Sequence, residues 1–254
     1  MSTSADLQEK LYQEIIGRIK KDDVSVPYKS NGYWYYTRVE EGKEYAIYCR
    51  KKESLEADEE IIIDSNILAE GCEFFQMGGL SISLDNQYLA YSKDTIGRRK
   101  YTVFFKNLLT GKILDTTIPN TTGGCTWAND NKTVFYTTKN EQTLRSDKIF
   151  KHVLNTNAEK DELVFHEEGE AFYSGIYKTK SKKYLVIYSG STHTNHYQIL
   201  EADNPNGQFR EFHKREDGLE YSIAHFEDKF FVLTNWDAKN FRLMETPEKS
   251  TNQA

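Results

Sequence analysis

The sequence has little of what marks several large protein classes. Its 254 residues include 3 cysteines, Cys49, Cys72 and Cys125. They are odd in number, far apart and without a CxxC pair, so neither a disulfide framework nor a zinc site is expected, and a reducing compartment fits. Proline is scarce, at 4, which argues against disorder despite a mean hydropathy of -0.72. No stretch approaches the roughly 18 apolar residues of a membrane span, and Met1 to Lys10 lacks an apolar signal core. A cytoplasmic chain without a membrane partner is therefore expected. The 33 Lys and Arg residues are interspersed among 39 Asp and Glu for a net charge of -6. That pattern lacks the basic face that nucleic-acid binding requires.

Catalytic signatures are missing as well. There is no G-x-S-x-G nucleophile turn and no phosphate-cradling P-loop, so no cofactor is expected. Gly190-Ser191-Thr192-His193 brings a hydroxyl near an imidazole, but between two expected strands it reads as a connecting loop. His193 and His196 are closely spaced, yet no further ligands converge on them in the sequence, and both read as solvated loop histidines. His152, His166, His213 and His225 are scattered and read as structural or exposed. The carboxylate runs Glu56 to Glu60, Glu159 to Glu162 and Glu167 to Glu170 fall at strand ends, where solvated acids are expected. Arg98-Arg99-Lys100 reads as a hairpin tip, able to pair with acids across an interface. The pairs Gly78-Gly79 and Gly123-Gly124 read as points of close backbone approach.

What the chain does have is aromatic strands, with 17 Tyr and 14 Phe. A turn followed by such a strand recurs around Trp34, Leu89, Val134, Leu185 and Phe231, at steps of 55, 45, 51 and 46 residues. That period is the period of propeller blades, small antiparallel sheets that bury their faces by stacking on their neighbours. The expected fold is all-β: about five four-stranded blades preceded by one amphipathic helix. The helix is expected over Ser4 to Lys21, where Leu7, Leu11, Ile15 and Ile19 recur every four residues. Asn31-Gly32, Asp85-Asn86 and Asp130-Asn131 mark hairpin turns. The expected organisation is a helix and exit loop over 1–23, a partial propeller over 24–247 and a polar tail over 248–254. The fifth blade lacks its outer strand, so a truncated chain is expected, with an open edge that invites self-association.

Particular strings carry a resemblance. Ile67-Leu68-Ala69-Glu70-Gly71 with Phe74-Phe75, then Asp85, Leu89-Ala90-Tyr91-Ser92, Asp94, Gly97 and Arg98-Arg99-Lys100-Tyr101-Thr102 resemble the amino-terminal propeller of the oligopeptidase B (protease II) group of the prolyl oligopeptidase family. Lys106-Asn107-Leu108, Ile118-Pro119-Asn120-Thr121, Thr143-Leu144-Arg145, Glu220-Tyr221-Ser222 and Asn240-Phe241-Arg242-Leu243 extend the resemblance over nearly the whole chain. Ser83-Leu84-Asp85-Asn86 departs from the Ser-Pro-Asp-Gly common at that turn of the family.

The resemblance implies a non-catalytic portion of a roughly seven-bladed propeller. In the family such a propeller caps a carboxyl-terminal α/β-hydrolase domain and limits entry to short peptides, cleaved after Arg or Lys. The Ser, Asp and His of catalysis belong to that other domain, so no catalytic, substrate-binding or metal-binding position is assigned here. The partners implied are the hydrolase domain of the parent chain and short peptides. The alternative is a stand-alone propeller that binds a protein or peptide.

Overall fold

The computed structural model describes residues 4–251. The chain divides into two compact units, residues 1–72 and 73–254. The first opens with helix α1 (Ala5–Arg18), close to the expected span. Its apolar stripe is real but uncovered: Leu7, Leu11, Tyr12, Ile15 and Ile19 are all exposed. A four-stranded antiparallel sheet follows, in the order β1 (Tyr28–Ser30), β2 (Tyr33–Arg38), β3 (Ile47–Lys52) and β4 (Glu59–Asp64). Asn31 and Gly32 both take positive φ, 46° and 80°, as the two-residue hairpin between β1 and β2 demands. Arg50 is buried on β3. It survives there because Glu60 accepts two of its N–H groups at 2.8 Å and the Tyr33 ring lies 4.2 Å away. A five-residue helix, α2 (Ser65–Ala69), which the sequence reading did not anticipate, is capped by the Asp64 carboxylate accepting from Asn66 N.

Among its described residues the second unit carries fourteen strands in sequence: β5 (Gln76–Ile82), β6 (Tyr88–Asp94), β7 (Tyr101–Asn107), β8 (Ile113–Trp127), β9 (Thr133–Lys139), β10 (Ser146–Val153), β11 (Glu162–His166), β12 (Tyr173–Lys178), β13 (Tyr184–Gly190), β14 (Asn195–Glu201), β15 (Arg210–Glu211), β16 (Tyr221–Phe226), β17 (Lys229–Thr234) and β18 (Arg242–Pro247). Each strand pairs antiparallel with the next inside its sheet. The repeat anchors Leu89, Val134, Leu185 and Phe231 fall on β6, β9, β13 and β17, the second strand of each repeat.

One boundary differs from expectation. Where separate four-stranded blades were expected, a single 15-residue strand, β8, joins two repeats into a seven-stranded sheet. Its first part pairs with β7 and its last part with β9, and Thr121 pairs with both. The register shifts around Pro119, which has no N–H to give, and Asn120 and Gly123 adopt φ of 62° and 100° to turn the strand from one partner to the other.

Among the described residues of this unit three cores form, one between the two repeats of the seven-stranded sheet and two between successive sheets, and the two-residue period of the strands explains them. On β9, Val134 and Tyr136 point into a core with Phe105, Ile118 and Trp127. Phe135 points the other way, onto Ile149, Leu185 and Ile187. On β13, Tyr184 and Val186 in turn enter a third core with Ile199, Tyr221 and Phe230. Each central strand thus belongs to two seams, and the aromatics supply most of the buried area.

Candidate functional site: a bonded rim of hairpins

In an antiparallel meander the connections between second and third strands lie at the same end as the crossings to the next repeat. In the second unit this end gathers the β6–β7, β9–β10, β13–β14 and β17–β18 hairpins with the crossings after β11 and β15. Hydrogen bonds link them into one chain. Buried Asp94 accepts from Ile96 N at 2.8 Å, Gly97 N at 3.0 Å and Arg99 N at 2.7 Å. That shapes the 95–100 loop so that Ile96, Arg98 and Arg99 project into solvent. Lys139 donates to Arg99 O at 2.7 Å, and Arg145 donates to the carbonyls of Glu167, Gly169 and Phe172 at 3.3, 2.6 and 3.0 Å.

The hub is Glu167. The sequence reading placed it among solvated acids, but it is 4% exposed. Its carboxylate accepts from Arg215 at 2.5 and 3.2 Å, from Gly169 N at 2.9 Å and from Ser189 Oγ. Burial alone would raise its pKa; Arg215, Ser189 and the Gly169 N–H outweigh burial and hold it below the usual carboxylate range. The Arg215 guanidinium also stacks 4.4 Å from the Phe172 ring. Further along, Thr194 bonds Asp217 and Gly218 N, while Asn235 bonds Gly218 O and Glu220 N. Exposed Ile96, Leu144, Trp236 and Phe241 alternate with Arg98, Arg99 and Arg242 along this end. Such a surface can hold a folded partner by apolar contact and by pairing with acids.

The remaining candidates from the sequence divide. His193 is exposed, as expected, and Ser191 Oγ donates to Thr194 O at 3.5 Å. His196 is buried rather than solvated; it lies on β14, 3.1 Å from Glu211, and burial together with the Arg215 charge lowers its pKa. The side chain of Asp161, in the second acidic run, is likewise only 4% exposed, accepting from Tyr136 OH at 2.9 Å and facing His152 Nδ1 at 2.8 Å. In the first run, Glu59 and Glu60 are paired with Arg38 and Arg50. His166 and His213 are partly exposed. At Gly78 an added Cβ would sit 2.2 Å from Ser92 Oγ, and at Gly79 2.6 Å from Gly123 O, so both are points of close approach. Gly124 has open space. The cysteines are free, and burial pushes the Cys49 and Cys125 thiols up to about 11 and about 12, which makes them poor nucleophiles.

One constellation escaped the sequence reading because its members are far apart. At the opposite end, Ser181 Oγ lies 2.9 Å from His225 Nδ1, and His225 Nε2 lies 3.1 Å from Glu248 Oε2. It resembles a serine–histidine–carboxylate relay, but the chemistry is lacking. Glu248 is already neutralised by Lys183 at 2.6 Å. The neighbouring N–H groups of Lys182 and Lys183 donate to Thr179 O at 2.8 Å and Ser181 Oγ at 3.4 Å, so neither is left to stabilise an oxyanion. Glu248 acts instead as an anchor, although the reading put it in a polar tail; residues 252–254 of that tail lie outside the described residues. Among the described residues no group of three His, Cys, Asp or Glu is placed to hold a metal, and no helix is long and apolar enough to cross a membrane.

Comparison with known proteins agrees with this architecture. The family described as "Prolyl oligopeptidase, N-terminal beta-propeller domain" matches residues 1–254. Dipeptidyl aminopeptidase BI of Pseudoxanthomonas mexicana is 37% identical over 269 residues, covering 100% of this chain and 37% of that protein. Protease 2 of Moraxella lacunata is 32% identical, covering 94% and 36%. Oligopeptidase B from Leishmania major superposes with a TM-score of 0.93 at 30% identity, over 99% of this chain and 36% of that one. Oligopeptidase B from Trypanosoma brucei, in a closed form with covalently bound antipain, gives 0.89 at 27%, with 99% and 36% covered. The chain thus spans little more than a third of the length of these relatives, and the hydrolase domain of such serine peptidases is not within it. On the match across all 254 residues, the chain belongs to the prolyl oligopeptidase family, as its N-terminal β-propeller domain.

Proposed function

We propose that this chain is the non-catalytic lid portion of a cytoplasmic serine-type oligopeptidase that cleaves short peptides after Arg or Lys. The observation that carries the reading is the fit to oligopeptidase B from Leishmania major over 99% of the chain at a TM-score of 0.93. In this reading residues 1–23 are a helix and exit loop, 24–247 are about five four-stranded blades, and 248–254 are a tail. The α/β-hydrolase domain is the partner. The apolar stripe of α1 packs on that domain, and the bonded rim forms part of the face turned toward it. Selection is by size: a folded protein cannot present an extended segment inside a covered cavity, and a short peptide can.

The three-stranded sheet β16–β18 supports the same reading. A cavity of about 240 Å³ on it is lined by Phe212, Tyr221, Val232, Trp236 and Met244, an apolar seat suited to a further blade. Left uncovered, this sheet and its edge favour self-association of the isolated chain. The name of the relative from Pseudoxanthomonas mexicana favours a second reading of the parent reaction, release of dipeptides from an amino terminus.

The test compares the 254-residue chain with the product of the gene's whole reading frame. Fluorogenic peptides with internal Arg, the same peptides with a free amino terminus, and a folded Arg-rich protein serve as substrates. Cleavage of the internal-Arg peptides by the longer product alone, with the folded protein spared, is expected. Dipeptide release would shift the assignment to the second reading, and a reading frame that stops at residue 254 would overturn both.

A further inference from the structure

An open cavity of about 680 Å³ lies within the second unit, between the first part of β8, the β9–β10 pair and a single-turn helix, Ala158–Lys160. Three carboxylates line it, Asp115, Glu159 and Asp161, and among the described residues no lysine or arginine does. Asp115 and Glu159 are exposed, whereas the Asp161 side chain is almost fully buried and, among the described residues, has no lysine or arginine within 4.0 Å. Asp161 accepts from Tyr136 OH and faces His152 Nδ1. His152 is buried, and its Nε2 has no partner among the described residues, so an imidazolium would leave a buried N–H unpaired. The neutral imidazole satisfies one lone pair of Asp161 without offsetting its charge. A buried carboxylate left uncompensated in the wall of an open cavity attracts a cation.

A metal ion does not fit: among the described residues no three such ligands converge, and the cavity is far larger than a bare ion. The rings of Tyr136 and Phe150, a cross-strand pair stacked 5.6 Å apart, line the same cavity together with Pro119. Aromatic and prolyl surface beside dispersed carboxylates suits a planar, delocalised cation on an alkyl stem. We infer that this cavity is a binding site for an alkylguanidinium, carried either by an arginine side chain or by a free small molecule of that class. The guanidinium fork donates to the remaining lone pairs of Asp161 and lies against the aromatic pair. Asp115 and Glu159, at the mouth, add to the attraction and accept from a second amine where the ligand carries one.

Calorimetric titration of the full chain with agmatine, N-acetyl-arginine methylamide and pentylamine tests this. One-site binding of a guanidinium probe is expected, with Kd on the order of a millimolar. Pentylamine, which lacks the fork, should bind about tenfold more weakly. Agmatine binding tighter than the arginine amide by about threefold or more assigns the site to a free diamine; equal or weaker binding assigns it to arginine in a peptide. Amide chemical shifts should move over residues 115–119 and 157–161, which border the cavity. Asp161→Asn should weaken both guanidinium probes about tenfold, with circular dichroism checking the fold. Because Asp161 also holds Tyr136 and His152, a second variant, Asp115→Asn with Glu159→Gln, changes exposed positions alone and should weaken both probes about threefold. No saturation with either guanidinium probe by about 20 mM, equal affinity for pentylamine, or shifts confined to other residues would each overturn the proposal. So would unchanged affinity in a folded D161N or, where that variant does not fold, in the D115N/E159Q pair.

Discussion

Strand β13 and helix α1 both carry a run of apolar side chains, and they end in opposite environments. Tyr184, Leu185, Val186 and Ile187 are each at most 5% exposed, while Leu7, Leu11, Tyr12 and Ile15 are between 49% and 59% exposed. In β13 the two-residue period sends successive side chains into two different seams, so every residue of the run finds a core. In α1 the four-residue stripe faces one direction and meets none. Burial of each such side chain is worth about 1.5–3 kcal/mol. A similar apolar run thus ends covered in β13 and, among the described residues, uncovered in α1.

The sharpest way to break this contrast is inside a seam. Phe135→Ala removes a fully buried ring that packs edge-on against Phe209 at 5.8 Å and should cost about 3–5 kcal/mol in urea unfolding. A loss below about 1 kcal/mol would mean that the repeats do not depend on stacking. Next is the rim hub. Glu167→Gln removes the charge that faces Arg215 and puts an NH2 donor where one of the two acceptor oxygens stood, and because Arg215 is a third exposed the expected cost is about 2–3 kcal/mol. The folded protein holds Glu167 below the ordinary carboxylate range, so this stability is fully present above that range and lost as pH falls from it through the lower folded value. The variant should therefore show a shallower acid limb, and an unchanged limb would remove Glu167 from the hub.

Lys178→Met should have a smaller effect of opposite sign. With the folded amine near 8 against about 10.4 unfolded, the lysine's cost is fully present below about 8 and fades as pH rises toward 10.4. The variant should gain up to about 1 kcal/mol at pH 7, the amine being partly exposed, and nothing at pH 11. The smallest effect belongs to the helix. Leu11→Ser with Ile15→Ser should change the stability of this chain by no more than about 0.5 kcal/mol, while in the longer protein the same pair should lower its melting temperature. Equal effects in both would mean that α1 has its partner within this chain.

The second strand of each repeat and three of the hairpin turns were legible in the sequence, because alternation and turn residues are local signals. Asn86, Asn131, Lys182 and Glu227 all take positive φ, between 56° and 65°, at equivalent hairpins of successive repeats, and two of these turns were visible as Asp-Asn. The continuity of β8 was hidden because Pro119 and the Gly123-Gly124 pair look like breaks, and only pairing with two partners makes them a bend. The rim was hardly legible. Glu167 resembles any loop carboxylate until Arg215, 48 residues later, is placed beside it, and Ser181, His225 and Glu248 meet only through stacking of the repeats. His196 and Asp161 were misjudged for the same reason: burial is a property of neighbours brought by the fold, not of the local string.

The central claim is that these residues form a lid domain without a catalytic serine of its own, and active-site labelling tests it most directly. A serine-directed fluorophosphonate incubated with the 254-residue chain, followed by peptide mass spectrometry, should leave every serine unmodified, Ser181 beside His225 included. Stoichiometric phosphonylation of Ser181, abolished by His225→Ala in a variant that keeps its fold, would contradict the account.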